Sequence, residues 1–261
     1  DKIMELLGKM GASEEQIELM DVATNFCRDK SPMEKVRELL DDELGYDPAV
    51  WTEMVELGWL GIAIPEEFDG VGLGLAEVVP VVEQMGRRMM GGPLMSTTLA
   101  AQVILAGGTD AQKSDLLPKL ASGTIATLAL TEDNSDWDFK SIACTAQSDG
   151  GNVALSGTKL FVTDARVADI ILVSVEHDGK PAFVMLEKAD VADGALRRET
   201  VIDQTRRSFE LTLDGIAVPA DRLLDADKAS AAFSHLHLAG NLLGAAEMTG
   251  STQNVIDYTL E

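Results

Sequence analysis

Leu116-Leu117-Pro118-Lys119-Leu120-Ala121-Ser122-Gly123-Thr124-Ile125-Ala126-Thr127-Leu128-Ala129-Leu130-Thr131 is the stretch in which the chain changes its repeat. Leu116, Leu117 and Leu120 keep to one helix face and Gly123 closes the run; residues 127–131 then read as a strand. Everything upstream is helical in pattern. Ser13 with Gln16 makes a capping box ahead of Ile17, Met20, Ala23 and Phe26. Ser31-Pro32 and Asp47-Pro48 are start signals with Pro at the first helical position. Val36, Leu39 and Leu40 follow the first as a buried stripe, and Val50, Met54 and Leu57 the second, ended by Gly58. After a Gly-rich passage over 65–74, Val78, Val82 and Met85 resume the helical period. Leu99, Val103 and Leu105 mark a further helix closed by Gly107-Gly108.

Downstream the apolar runs shorten. Residues 142–147, 153–156, 160–163, 170–175, 182–186 and 209–213 join 127–131 as seven strand candidates. Asp149-Gly150-Gly151-Asn152 and Asp178-Gly179 supply hairpin turns, because these residues accept positive φ. Short strands with tight turns predict a small antiparallel barrel or sandwich, not a parallel sheet. From about Asp225 helical spacing returns and continues to Leu260. The expected fold is multi-domain α and β: an all-α bundle over 1–124, a middle antiparallel β-barrel or sandwich over 125–224, and the first helix of a C-terminal helical domain over 225–261.

The 261 residues carry 44 acidic and 21 basic side chains, a formal net charge of −23. Such a surface repels phosphate backbones, which argues against a nucleic-acid partner, and any anionic ligand needs a local exception to that field. An apolar content of 46% is that of a soluble globular chain, and no run approaches the ~18 apolar residues of a membrane-spanning helix. Cys27 and Cys144 share no disulfide- or metal-type spacing; with no signal-peptide pattern at the start, a reducing, cytoplasmic setting is expected. The chain opens at Asp1 without an initiator Met and its last helix is still running at Glu261, so a fragment of a longer protein is expected.

Several constellations fail on chemistry. Gly157-Thr158-Lys159 reverses the Gly-Lys-Thr order of a phosphate-binding loop and lies between strand candidates, which makes it a hairpin. Gly70-Val71-Gly72-Leu73-Gly74 lacks the third glycine and the preceding strand of a dinucleotide fingerprint. His235 and His237, two apart on a helix, face nearly opposite ways and hold no metal together, and His177 beside a turn reads as exposed. No paired nucleophile and base emerges, so hydrolase chemistry is without support.

Seven segments, in order and at family spacing, resemble the acyl-CoA dehydrogenase family, flavoproteins that introduce a double bond between Cα and Cβ of a coenzyme A thioester. Gly61-Ile62-Ala63-Ile64-Pro65-Glu66-Glu67-Phe68-Asp69-Gly70-Val71-Gly72 resembles the family's GIxxPEExGGxG segment. Val82-Glu83-Gln84-Met85-Gly86-Arg87 resembles its ELGR helix, and Gly108-Thr109-Asp110-Ala111-Gln112-Lys113 with Leu117-Pro118-Lys119-Leu120 its GTExQK and LPxL pattern. Ala129-Leu130-Thr131-Glu132 resembles the flavin-binding strand, and Leu155-Ser156-Gly157-Thr158-Lys159-Leu160-Phe161-Val162-Thr163 the LNGxKxWIT hairpin. Asp203-Gln204-Thr205-Arg206 and Val218-Pro219-Ala220-Asp221-Arg222-Leu223-Leu224 resemble the close of the β domain.

The resemblance implies FAD as cofactor, an acyl-CoA substrate converted to the trans-2-enoyl-CoA, and electron-transfer flavoprotein as electron acceptor. It also implies a homo- or heteromeric tetramer or dimer, because the family's flavin pocket is shared between subunits. Leu128, Leu130 and Thr131 would line the isoalloxazine, Thr163 would lie near N5, and Phe161 stands where many members have Trp. The alternatives are β-propensity residues on a half-exposed strand for Thr131 and Thr163, and core packing for Phe161 and the leucines. Where the family runs Pro-x-x-Gly-Ser-Asp, this chain has Asp133-Asn134-Ser135-Asp136-Trp137-Asp138, with Ser135 the one carry-over. Glu132, Asp133, Asp136 and Asp138 would crowd a pyrophosphate site. At ~4 Å and an effective dielectric of ~20, each like-charge pair costs on the order of 4 kcal/mol.

The helix position that carries the base in some members is Leu236 here, and the usual catalytic glutamate would lie beyond Glu261, so no catalytic residue is assigned within the chain. His237 falls near a position where many members place an Arg that contacts coenzyme A; a solvent-facing or capped histidine is the alternative. Two functions follow: an acyl-CoA dehydrogenase of fatty-acid or steroid side-chain β-oxidation, or a non-catalytic or flavin-poor partner subunit of a heteromeric one. The residues do not select among acyl substrates.

Overall fold

The computed structural model describes residue 8, residues 11–133 and residues 141–260. Among the described residues six α-helices come first: α1 (Glu14–Lys30), α2 (Met33–Asp41), α3 (Pro48–Glu56), α4 (Leu75–Arg87), α5 (Leu94–Gly107) and α6 (Asp110–Ala121). The start signals act largely as their chemistry dictates. Ser13 and Gln16 exchange both capping-box hydrogen bonds at 3.1 Å, and the Asp47 carboxylate accepts from the Ala49 amide at 2.9 Å. Ser31 is the exception: Pro32 sits one position earlier than expected, at the N-cap, and the Ser31 hydroxyl donates to the Arg88 carbonyl instead. Gly58 leaves α3 with φ 74°, a conformation open to glycine at no steric cost.

Nine strands form among the described residues: β1 (Ala126–Ala129), β2 (Thr145–Asp149), β3 (Asn152–Ser156), β4 (Thr158–Thr163), β5 (Ile170–His177), β6 (Lys180–Glu187), β7 (Leu196–Arg198), β8 (Ser208–Thr212) and β9 (Ala217–Pro219). They make two sheets, β1-β5-β2-β3-β9 with β6 on the other edge of β5, and β4-β8-β7. Both predicted hairpin turns close as two-residue loops, Gly150-Gly151 and Asp178-Gly179, with positive φ throughout.

Two details depart from expectation. β1 lies parallel to β5 over four residue pairs, because the chain reaches β5 through a long connection rather than a turn. Gly157 is a corner, not a hairpin: β3 pairs with β2 and β9, whereas β4 crosses into the other sheet to pair with β8. A Cβ at Gly157 would meet the Cys144 sulfur at 2.6 Å, so the corner has room only for glycine.

The last helix, α7 (Ala229–Leu260), packs its small residues on α4 and α5. At the α4 crossing, Gly86 and Gly250 let two backbones touch: an added Cβ would meet the Glu247 carbonyl oxygen at 2.2 Å and the Glu83 carbonyl oxygen at 1.8 Å. Arg87–Asp257 and Arg206–Glu247 ion pairs flank that crossing. The β layer is tied to the helices by Arg207, whose buried guanidinium donates to the carbonyls of Leu39 at 2.6 Å, Leu40 at 3.1 Å and Asp42 at 2.7 Å, the orphan acceptors at the end of α2.

Candidate functional site

The site sits where the two sheets meet, along the seam between β1 and β4. Thr127 Oγ1 donates to the Thr163 carbonyl at 2.5 Å, and the Leu160 amide donates to the Thr131 carbonyl at 2.8 Å. Between those two ties β4 carries one residue too many: its register against β8 shifts between Lys159 and Val162. Phe161 takes up the slack at φ 54°, a region bulky side chains rarely enter, and the residue is 54% exposed. Leu128, Leu130, Leu160, Thr131 and Thr163, on the two sides of the seam, are half-buried. The result is an apolar surface edged by two threonines.

Behind that surface lies a charge cluster. Lys159 is fully buried and its ammonium contacts Glu132 Oε1 at 2.7 Å, Ser174 Oγ at 2.9 Å and the Leu130 carbonyl at 3.2 Å. Glu132 in turn accepts from the amides of Ala143 at 2.7 Å and Cys144 at 3.1 Å. Burial pushes the Glu132 carboxyl up, but the Lys159 hydrogen bond and charge and the two amides outweigh it, holding the group below the usual carboxylate range. Glu132 is therefore spent inside the protein, a correction to its place among four carboxylates crowding a phosphate site; Asp133 beside it is exposed. Burial raises the Cys144 thiol to about 12, so it is no nucleophile.

Of the residues singled out in the sequence, Leu128, Leu130, Thr131, Phe161 and Thr163 come together on this seam. The exposed Phe161 is not core packing, whereas Leu128 and Leu130 do pack against the apolar cluster that holds Ile104, Leu117 and Leu236. Ser135 lies outside the described residues, as do Asp136 and Asp138. His237 is exposed on α7, while Leu236 beside it is 3% exposed in an apolar cluster with Ile104 and Leu117. His235 bonds Gln102 Oε1 at 2.8 Å, and because the Gln102 amide nitrogen donates to the Ala63 carbonyl at 3.0 Å, His235 Nε2 carries the proton. His177, expected to be exposed, is half-buried with Nδ1 on the Ala146 carbonyl at 2.8 Å. The Gly-rich segment folds back on itself, the amides of Val71, Gly72 and Leu73 donating to the carbonyls of Gly61, Ile64 and Ile62 at 2.8–3.0 Å, which leaves no amide cradle for phosphate.

Two participants escaped the sequence reading. Lys159 was visible as a lone cation amid apolar strand residues, the signature of a buried partner. Glu199 gave no signal: it follows β7, a strand too short to show a period, and its Oε2 accepts from the Phe161 amide at 2.9 Å and Ser208 Oγ at 2.8 Å.

Residues 13–124 match the family model described as acyl-CoA dehydrogenase, N-terminal domain. The (2S)-methylsuccinyl-CoA dehydrogenase of Cereibacter sphaeroides is 35% identical over 190 residues, 66% of this chain and 34% of that protein. Acyl-CoA dehydrogenase FadE12 of Mycobacterium tuberculosis is 31% identical over 212 residues, 77% of this chain and 54% of its own length. The chain belongs to the acyl-CoA dehydrogenase family. It spans between a third and just over half of those two relatives. Among solved structures, the steroid acyl-CoA dehydrogenase Tcur3481-Tcur3483 superposes with a TM-score of 0.79 at 30% identity, covering 91% of this chain and 64% of that one. As in other family members, helices, a curled β region and the start of a C-terminal helix follow in order. Among the described residues no helix is long and apolar enough to cross a membrane, and no cluster of three or more His, Cys, Asp or Glu could hold a metal ion.

Proposed function

We propose that this chain supplies the flavin wall of an FAD-dependent acyl-CoA dehydrogenase, which converts an acyl-CoA thioester to the trans-2-enoyl-CoA. One observation supports the reading above the others: an aromatic ring, Phe161, held outward on a strained backbone and 54% exposed, in the position the family resemblance gives to flavin packing. An exposed aromatic residue on a seam that also carries half-buried leucines fits one face of a planar tricycle. Leu128, Leu130 and Phe161 would exclude water from that face. The Thr131 and Thr163 hydroxyls would bond its polar edge. Bound FAD supplies a hydride acceptor for the substrate Cβ.

The α-proton base is not assigned to this chain; Leu236 closes the one alternative position with a hydrocarbon side chain. His237, exposed on α7, is proposed to face the coenzyme A moiety, and Ser135 the phosphates of FAD. A second subunit of the same or a related chain completes the pocket in this reading, and electron-transfer flavoprotein reoxidises it. The setting is proposed to be cytoplasmic; both cysteines are free and buried, as suits a reducing compartment. The partner-subunit alternative draws on the acidic stretch after Thr131, and the pairing of Glu132 with Lys159 at 2.7 Å removes one of its four charges.

The test is the visible spectrum of the purified protein with its natural assembly partners. A flavin band near one per active site, bleached anaerobically by an acyl-CoA, is expected. A flavin band that no acyl-CoA bleaches would overturn the dehydrogenase reading, and a preparation without flavin would favour the partner subunit.

A further inference from the structure

We propose that Glu199 is a positioning residue of the flavin wall: its carboxylate holds the Phe161 backbone in the conformation that turns the ring outward and sets the register of Thr163. The inference rests on the flavin reading above. The extra residue in β4 makes Phe161 a bulge, and a bulge frees an amide from the regular ladder. That amide donates to Glu199 Oε2 at 2.9 Å. The acceptor is itself fixed twice: the Glu199 amide donates to the Ser208 carbonyl at 2.9 Å, and the Ser208 hydroxyl donates to Glu199 Oε2 at 2.8 Å. The carboxylate is thus anchored to β8, the strand against which β4 slips.

Without that acceptor, nothing in the chemistry of phenylalanine favours φ 54°. Phe161 would return to ordinary strand geometry, the bulge would close, and every side chain beyond it would change face, because strand side chains alternate with a period of two. Thr163 would then leave the seam together with the ring. Glu199 touches neither substrate nor cofactor in this account; it acts through Phe161.

The experiment compares Glu199→Ala, Glu199→Asp and Glu199→Gln with Ser208→Ala, in the assembled protein. Two readouts are taken: hydrogen exchange of the Phe161 amide without flavin, and the dissociation constant and visible circular dichroism of added FAD. Glutamine keeps an oxygen at the same reach, whereas aspartate is one methylene short. Glu199→Ala and Glu199→Asp are expected to lose Phe161 amide protection and weaken FAD binding about tenfold or more, the worth of one charge-assisted hydrogen bond. Glu199→Gln is expected to restore both to within about threefold, a milder neutral hydrogen bond. Wild-type binding and dichroism in Glu199→Ala overturn the positioning role and leave the flavin reading standing, as does equal loss in Glu199→Gln; Ser208→Ala, which removes one of the two anchors of the carboxylate, is expected to fall between wild type and Glu199→Ala, and wild-type values there would count against the anchoring. Wild-type protein that binds no FAD overturns both.

Discussion

The α4–α7 crossing and the β1–β4 seam are held together by opposite means. At the crossing, Gly86 and Gly250 remove side chains so that two helix backbones meet, and partly buried ion pairs flank them. At the seam, a buried lysine and glutamate, four backbone carbonyls or amides, and a strained phenylalanine hold the chain in a shape its own residues would not choose. The crossing spends its interactions on stability. The seam spends polar contacts to keep an apolar surface open.

The contrast breaks most visibly at Lys159. Lys159→Met leaves Glu132 buried without a counter-charge, a change worth about 3–5 kcal/mol. At ~2–4 °C per kcal/mol for a domain of this size, the melting temperature should fall by about 10 °C, and Lys159→Met combined with Glu132→Leu should recover much of it. An unchanged melting temperature in the single variant would mean that the pair is not the seam's anchor.

Gly250→Ala comes next. One methyl group directed at a carbonyl oxygen 1.8 Å away cannot be absorbed by a rotamer, so α7 must shift, at a cost of about 1–3 kcal/mol. Amide exchange should rise along α7 and stay unchanged at Leu128 and Thr131. Exchange that rises equally at both regions would show that the crossing and the seam are one cooperative unit.

The smallest effect is at Asp164, which follows β4 with φ 60°. Burial pushes its carboxyl above the ordinary value of 3.8, against the Ser96 hydrogen bond at 2.7 Å and the charges of Arg206 and Arg207. A raised carboxyl binds more protons folded than unfolded, so stability from this group falls as pH rises from 3.8 through the folded value. Asparagine tolerates the left-handed backbone and does not titrate. Asp164→Asn should gain on the wild type in denaturant midpoint as pH rises across that window; a pH-independent difference would contradict the burial account. Glu132 has the opposite sign: its lowered carboxyl stabilises above the ordinary carboxylate range and ceases to do so as pH falls.

The helices were legible because their signals are local. Capping boxes, Pro at the first turn and a period of 3.6 act within a few residues, and Ser13, Asp47 and Gly58 do as those rules require. Ser31 misled because its hydroxyl found a carbonyl from the end of α4. The sheet was half legible: turns at Gly150-Gly151 and Asp178-Gly179 are local, whereas the parallel pairing of β1 and the corner at Gly157 depend on where distant strands lie. β7 and β9, three residues each, are too short to carry a period. For the site, family likeness named residues that the structure places along one seam. It could not show that Glu132 turns inward, since that depends on a lysine 27 residues away, nor that Phe161 turns outward, which depends on Glu199.

The central claim is that the seam, and not the crossing, receives the flavin ring. Titration of FAD into isotope-labelled protein, followed by amide chemical shifts, tests it most directly. The largest shifts should fall at residues 128–131 and 160–163, with Gly86 and Gly250 unmoved. Shifts concentrated on α4 and α7, or saturable binding that leaves Phe161 and Thr163 unperturbed, would contradict it.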